Sequence, residues 1–114
     1  MQVYLDDMRD PPGNPHDWIV LRSFYELVGF VHETGLFPIR LISFDHDLGD
    51  SYGRPLKTGY DAAVWLTEFS EDDFCPDFQY QIHSSNPVGR ENIRQLMNRH
   101  FERTRGETAS REKL

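Results

Sequence analysis

The chain has 114 residues, 38% of them apolar, and a formal net charge of −7. That length makes one domain with a modest core. The negative charge excludes a protein that wraps long duplex nucleic acid, which needs many cationic contacts. No apolar run reaches the roughly 18 residues of a membrane span. The single cysteine, Cys75, has no internal disulfide partner, so a reducing cytoplasm is the expected compartment. A small phosphorylated ligand or one RNA terminus remains compatible with the charge. The oligomeric state is left open.

In chain order, MQVYLDD opens with a short apolar strand, Gln2 to Leu5, that ends in Asp6 and Asp7. It lacks the basic segment and apolar core of a signal peptide. Residues 8–17, MRDPPGNPHD, hold three prolines and a glycine and read as a loop. Trp18 to Leu21 is a compact apolar run, read as a strand. Ser23 then opens a helix through an S-x-x-E capping box with Glu26. Phe24, Leu27, Val28 and Val31 follow at helical spacing, and Gly35 is the stop. Ile39 to Phe44 is the third strand, and residues 46–57 a loop containing glycine and proline. Thr58 and Asp61 offer a second capping box, with Ala62, Trp65, Leu66 and Phe69 as the buried face behind it. Phe78 to Ile82 is the fourth strand. It alternates apolar Phe78, Tyr80 and Ile82 with Gln79 and Gln81, the pattern of an edge strand with one wetter face. Asn86-Pro87 reads as a cap and first turn of the last helix, whose stripe is Ile93, Leu96, Met97 and Phe101. From Glu102 onward apolar residues are scarce. The folded domain is therefore expected over 1–102, with 103–114 a frayed tail.

Alternating strands and helices favour an α/β fold with a mainly parallel sheet. In such sheets ligands bind beyond the carboxyl ends of the strands. Here the first strand ends in Asp6 and Asp7, the third in Asp45, His46 and Asp47, and the fourth in His83, Ser84, Ser85 and Asn86. Three separate segments thus bring polar residues to one rim. Carboxylates gathered there repel one another unless a proton or a cation intervenes. Asp6, Asp7, Asp45 and Asp47 are accordingly the candidate metal ligands. Mg²⁺ or Mn²⁺ is the expected ion, since hard cations take oxygen donors. The N-terminus of the last helix presents N–H groups suited to phosphate. Arg9, Ser84, Asn86, Arg90 and Asn92 complete the candidate phosphate-binding set, and His46 and His83 are placed to move protons near neutral pH.

Each element has a plainer reading. An acidic pair in a loop is usually solvated, a single histidine usually structural, and Asn86 is sufficient as a helix cap. Arg90 suits a surface ion pair, and Trp18 and Trp65 suit the core. His16 and Asp17 are assigned no role.

The strings YLDDMRDPP, ISFDHDLGD, TGYDAAVWL and IHSSNPVGREN resemble the cyclic-phosphate-processing branch of the receiver-like domains, over residues 2–101. The resemblance implies a shortened receiver-like (flavodoxin-like) three-layer sandwich with a four-stranded sheet in the order 2-1-3-4, which right-handed crossovers also favour. Asp6 and Asp7 match the acidic pair of receivers, Asp45 the aspartate that accepts phosphate, and Ser84 the hydroxyl residue after the fourth strand. The first receiver helix is replaced by the proline loop, and the fifth strand with its lysine is missing, so a signalling switch is not implied. His46, Asp47, His83 and Asn86 are shared with the cyclic-phosphate branch. The implied activity is metal-assisted hydrolysis of a cyclic phosphate, such as an RNA 2′,3′-cyclic end in RNA repair or a cyclic nucleotide. Asp45, His46, His83 and Arg90 are its candidate catalytic residues. The alternative is a non-catalytic module that binds metal or phosphate and docks on a protein partner. An HD-type phosphohydrolase is disfavoured, because that motif belongs to helical metal sites and His46-Asp47 follows a strand.

Overall fold

A computed structural model describes residues 1–48, 53 and 55–101. The expected tail, 103–114, lies outside the described residues, as does part of the expected 46–57 loop. Four strands, β1 (Gln2–Leu5), β2 (Ile19–Leu21), β3 (Leu41–Phe44) and β4 (Gln79–Ile82), form one sheet in the order β2-β1-β3-β4. All three pairings are parallel. Three helices, α1 (Phe24–Thr34), α2 (Gly59–Leu66) and α3 (Pro87–His100), complete the fold. The receiver-like class and strand order are those expected, and β4 is an edge strand. β2 begins one residue later than the sequence suggests, β3 two and β4 one.

Local chemistry sets the helix boundaries. Ser23 caps α1 by accepting the N–H of Glu26, but Glu26 Oε1 accepts from the N–H of Arg22 rather than Ser23, so the reciprocal half of the box is shifted by one residue. The Thr58–Asp61 box at α2 is complete in both directions. Gly35 closes α1, with its N–H on Val31 O.

The register sorts the strand residues onto two faces. Val3, Leu5, Ile19, Leu21, Ile42, Phe44, Tyr80 and Ile82 share one face. They join the core with Leu27 and Val31 of α1, Ala62, Ala63 and Leu66 of α2, and Ile93 and Met97 of α3. α2 packs against both α1 and α3. All three helices therefore form a single layer on that face. The third layer of the expected sandwich carries no α-helix among the described residues; the proline loop there contains the short 3-10 turn Pro15–Asp17. Where the first receiver helix is replaced, the proline loop covers the other face among the described residues. There Trp18 packs edge-on to Tyr4, and the Gln2 side chain donates to Asp17 O. Trp65 packs against the core while remaining partly exposed, and Phe74, Phe78 and Phe101 form an aromatic cluster beneath the sheet's helical side.

Candidate active site at the carboxyl rim of the sheet

The sheet's own hydrogen bonds align the site. Leu5, Phe44 and Ile82 are in register, so the next residue of each strand emerges side by side. The ladder continues one step beyond the strands, with Asp45 N–H on Leu5 O at 2.9 Å and His83 N–H on Phe44 O at 2.9 Å. Asp6 N–H likewise reaches Leu21 O at 3.1 Å. Asp6, Asp45 and His83 are thus fixed by backbone before any side chain contributes.

Asp6 is fully buried and saturated. Its Oδ1 accepts the N–H groups of Met8 and Arg9 at 2.9 and 2.8 Å. Its Oδ2 accepts Arg9 Nε and His83 Nε2, each at 3.0 Å. Burial alone pushes the carboxyl pKa up. The two backbone N–H groups, His83 and the Arg9 charge outweigh it and hold the group below its ordinary value. Arg9 also reaches Asp45 Oδ1 through NH2 at 3.3 Å, so one guanidinium bridges both buried carboxylates.

His83 lies stacked on Tyr4, rings 4.2 Å apart and 6° from parallel. Its Nδ1 meets Ser43 Oγ at 2.7 Å, and that hydroxyl accepts Gln81 Nε2 at 3.2 Å. Burial keeps the imidazole pKa below its ordinary value although Asp6 and Asp45 pull it upward. Burial, with Asp6 nearby, raises that of the Tyr4 hydroxyl.

His46 is arranged differently. Its Nδ1 faces Asp47 Oδ1 at 2.8 Å. A carboxylate only accepts, so Nδ1 carries the proton and Nε2 is left as the basic nitrogen. Two glycines hold this segment through close approach. The N–H of Gly59 donates to His46 O at 2.7 Å, and a Cβ at Gly59 would lie 1.9 Å from Asp45 O. A Cβ at Gly89 would lie 2.3 Å from His46 Cγ. The first turns of α2 and α3 thus clamp the His46 backbone and ring.

Several expected site residues serve local structure. Ser84 Oγ accepts the N–H of Asn86, and Asn86 Oδ1 accepts that of Gly89 at 3.0 Å. Arg90 donates through NH1 to Ile82 O, and its own N–H is bound by Asn86 O. Asn92 is exposed on α3, and Asp47 stays with His46, outside the carboxylate cluster. The structure therefore joins Asp6, Asp7, Asp45, Arg9 and His83. Three residues of this network, Tyr4, Ser43 and Gln81, were not singled out by sequence. The available signal was Ser43, a hydroxyl inside the apolar run LISF.

One carboxylate oxygen from each of Asp6, Asp7 and Asp45 lies within 4.8 Å of the others. Asp7 and the second oxygen of Asp45, whose side chain is only 8% exposed, have no hydrogen-bond partner among the described residues. Converging oxygen donors and a buried unpartnered carboxylate oxygen fit a hard divalent cation.

A parallel sheet of this order with an acidic rim defines a receiver-like domain. The chain belongs to the cyclic-phosphate processing receiver domain family, whose model matches residues 1–99. Searches of curated proteins and of solved structures gave no match.

Proposed function

We propose that this domain is a metal-dependent phosphoesterase that opens a cyclic phosphate, an RNA 2′,3′-cyclic end or a cyclic nucleotide. Family membership supports a role in cyclic phosphate processing. The observation that carries the catalytic reading is the Asp6, Asp7, Asp45 cluster on the same rim as an oriented His46–Asp47 pair. The three aspartates would hold Mg²⁺ or Mn²⁺, which supplies charge neutralisation at phosphoryl oxygens and a more acidic water.

In hydrolysis, water adds to phosphorus, one ring P–O bond breaks, and the leaving oxygen gains a proton. His46 Nε2 is the nitrogen suited to take or return that proton, with Asp47 holding the tautomer and steadying the imidazolium. His83 has both ring nitrogens engaged, so its role is to hold Asp6 in place. The N-terminus of α3 and the Arg9 guanidinium are the donors closest in kind to what a phosphoryl group needs.

A second reading, a module that binds metal or phosphate and docks on a partner, is favoured by one feature. Arg9 already neutralises two of the three carboxylates. The experiment is a screen of cyclic mono- and dinucleotides and 2′,3′-cyclic RNA ends with Mg²⁺ and Mn²⁺. Ring opening that disappears in chelator supports the enzyme. Binding without turnover supports the module.

A further inference from the structure

We infer that Arg9 is a displaceable internal cation, which occupies the carboxylate site until a divalent ion expels it. The inference rests on the metal-site reading above and adds a competition to it. Asp6 and Asp45 are deeply buried, with side chains 1% and 8% exposed, and buried negative groups call for a positive partner at contact distance. Arg9 supplies it through Nε on Asp6 Oδ2 and NH2 on Asp45 Oδ1.

Both Asp6 oxygens are filled, Oδ1 by the N–H groups of Met8 and Arg9 and Oδ2 by Arg9 Nε and His83. An ion that uses Asp6 must therefore remove one of these donors. The two N–H groups belong to the turn after β1, and His83 is wedged between Tyr4, Ser43 and Asp6. Arg9 is the donor able to leave. Its main chain is pinned, the N–H to Asp6 and the carbonyl to Arg22 NH1 at 2.7 Å. Its side chain is half exposed at the mouth and held there by the two ion pairs. A divalent ion also engages Asp7, which the guanidinium does not pair with. Once expelled, the guanidinium stays tethered beside the site, facing solvent, where a phosphoryl group would meet it.

The test compares wild type, Arg9→Met, Arg9→Lys and Asp45→Asn by calorimetric titration with Mn²⁺ and Mg²⁺, and by thermal melts in chelator and in metal. An arginine beside a carboxylate favours its ionised form by roughly tenfold or more, and a competing ion loses a comparable factor. Arg9→Met should therefore melt lower than wild type in chelator, recover in metal, and bind the ion about tenfold tighter or more. Arg9→Lys should fall between them. Metal binding by Arg9→Met but not by wild type would show that Arg9 blocks the site without being expelled, and overturns the inference. Equal or weaker binding by Arg9→Met, with binding lost in Asp45→Asn, overturns the competition and leaves the metal site standing. Absence of binding in every variant overturns both.

Discussion

His83 Nε2 donates to Asp6 Oδ2 across 3.0 Å, joining the end of β4 to the end of β1 past the intervening strand β3. Because the carboxylate only accepts, the proton sits on Nε2. Nδ1 then accepts from Ser43, whose oxygen accepts from Gln81. The chain of donors closes with no ring nitrogen spare. Removing the ring leaves Asp6 one donor short and exposes the face of Tyr4. His83→Ala should lower stability in chelator by about 2 kcal/mol, as for a buried hydrogen bond to a charged group. Urea unfolding measures it, and a change below about 0.5 kcal/mol, the level of ordinary surface substitutions, would mean the bond contributes little.

The same residues should contribute to the acid limb of stability. Burial holds His83 below 6.5 in the folded protein. As pH falls, the unfolded chain takes up this proton first. The contribution of His83 is therefore complete above its unfolded value and lost as pH drops through the folded one. Asp6, held below 3.8, adds a second loss at lower pH by the same sign. Metal-free protein should melt progressively lower from pH 7 to about 5, and His83→Gln should flatten that slope. An unchanged slope in His83→Gln would assign it to other groups.

His46 is the histidine with a nitrogen to spare. His46→Ala should leave the fold intact and lower turnover of a cyclic phosphate by about 10²–10⁴, the contribution of a positioned acid or base. Gly89→Ala provides an independent check. Its Cβ would overlap the His46 ring, so it should reproduce much of the loss without replacing any ionisable side chain. Wild-type turnover in both variants would remove His46 from the chemistry.

Phe101 ends α3 fully buried against Phe74 and Phe78. Phe101→Ala should destabilise by about 3–5 kcal/mol, since a large ring leaves a cavity that neighbours only partly fill. Denaturant unfolding measures this, and a loss under about 1 kcal/mol, typical of lighter changes, would show that the cluster readily collapses.

Much of the architecture was legible because it depends on short-range signals. Thr58 and Asp61 announce α2, Asn86-Pro87 announces α3, and the alternation in residues 78–82 marks the edge strand. The rim was legible because parallel register carries Asp6, Asp45 and His83 to one side whatever their side chains do. Rotamer partners were not. Arg9 was expected on phosphate and lies on two carboxylates, while Arg90 was expected at the ligand and lies on Ile82 O. Long cations settle on the nearest buried negative atom, which depends on tertiary distances. The layer count was hidden for a related reason. The replacement of the first receiver helix by the proline loop is visible in sequence, but which face that loop covers follows from crossover handedness.

The central claim is that the acidic rim performs metal-dependent opening of a cyclic phosphate. The most direct measurement follows 2′,3′-cyclic RNA ends and cyclic nucleotides incubated with wild type and Asp45→Asn, with Mg²⁺ or Mn²⁺ and with chelator, resolving phosphomonoester or linear phosphodiester product. The account predicts ring opening by wild type with metal, its disappearance in chelator, and a loss of about 10²-fold or more in Asp45→Asn, as when a preorganised charge is removed from a site. Turnover that survives both chelator and Asp45→Asn, or no turnover of any cyclic phosphate with either ion, would contradict it.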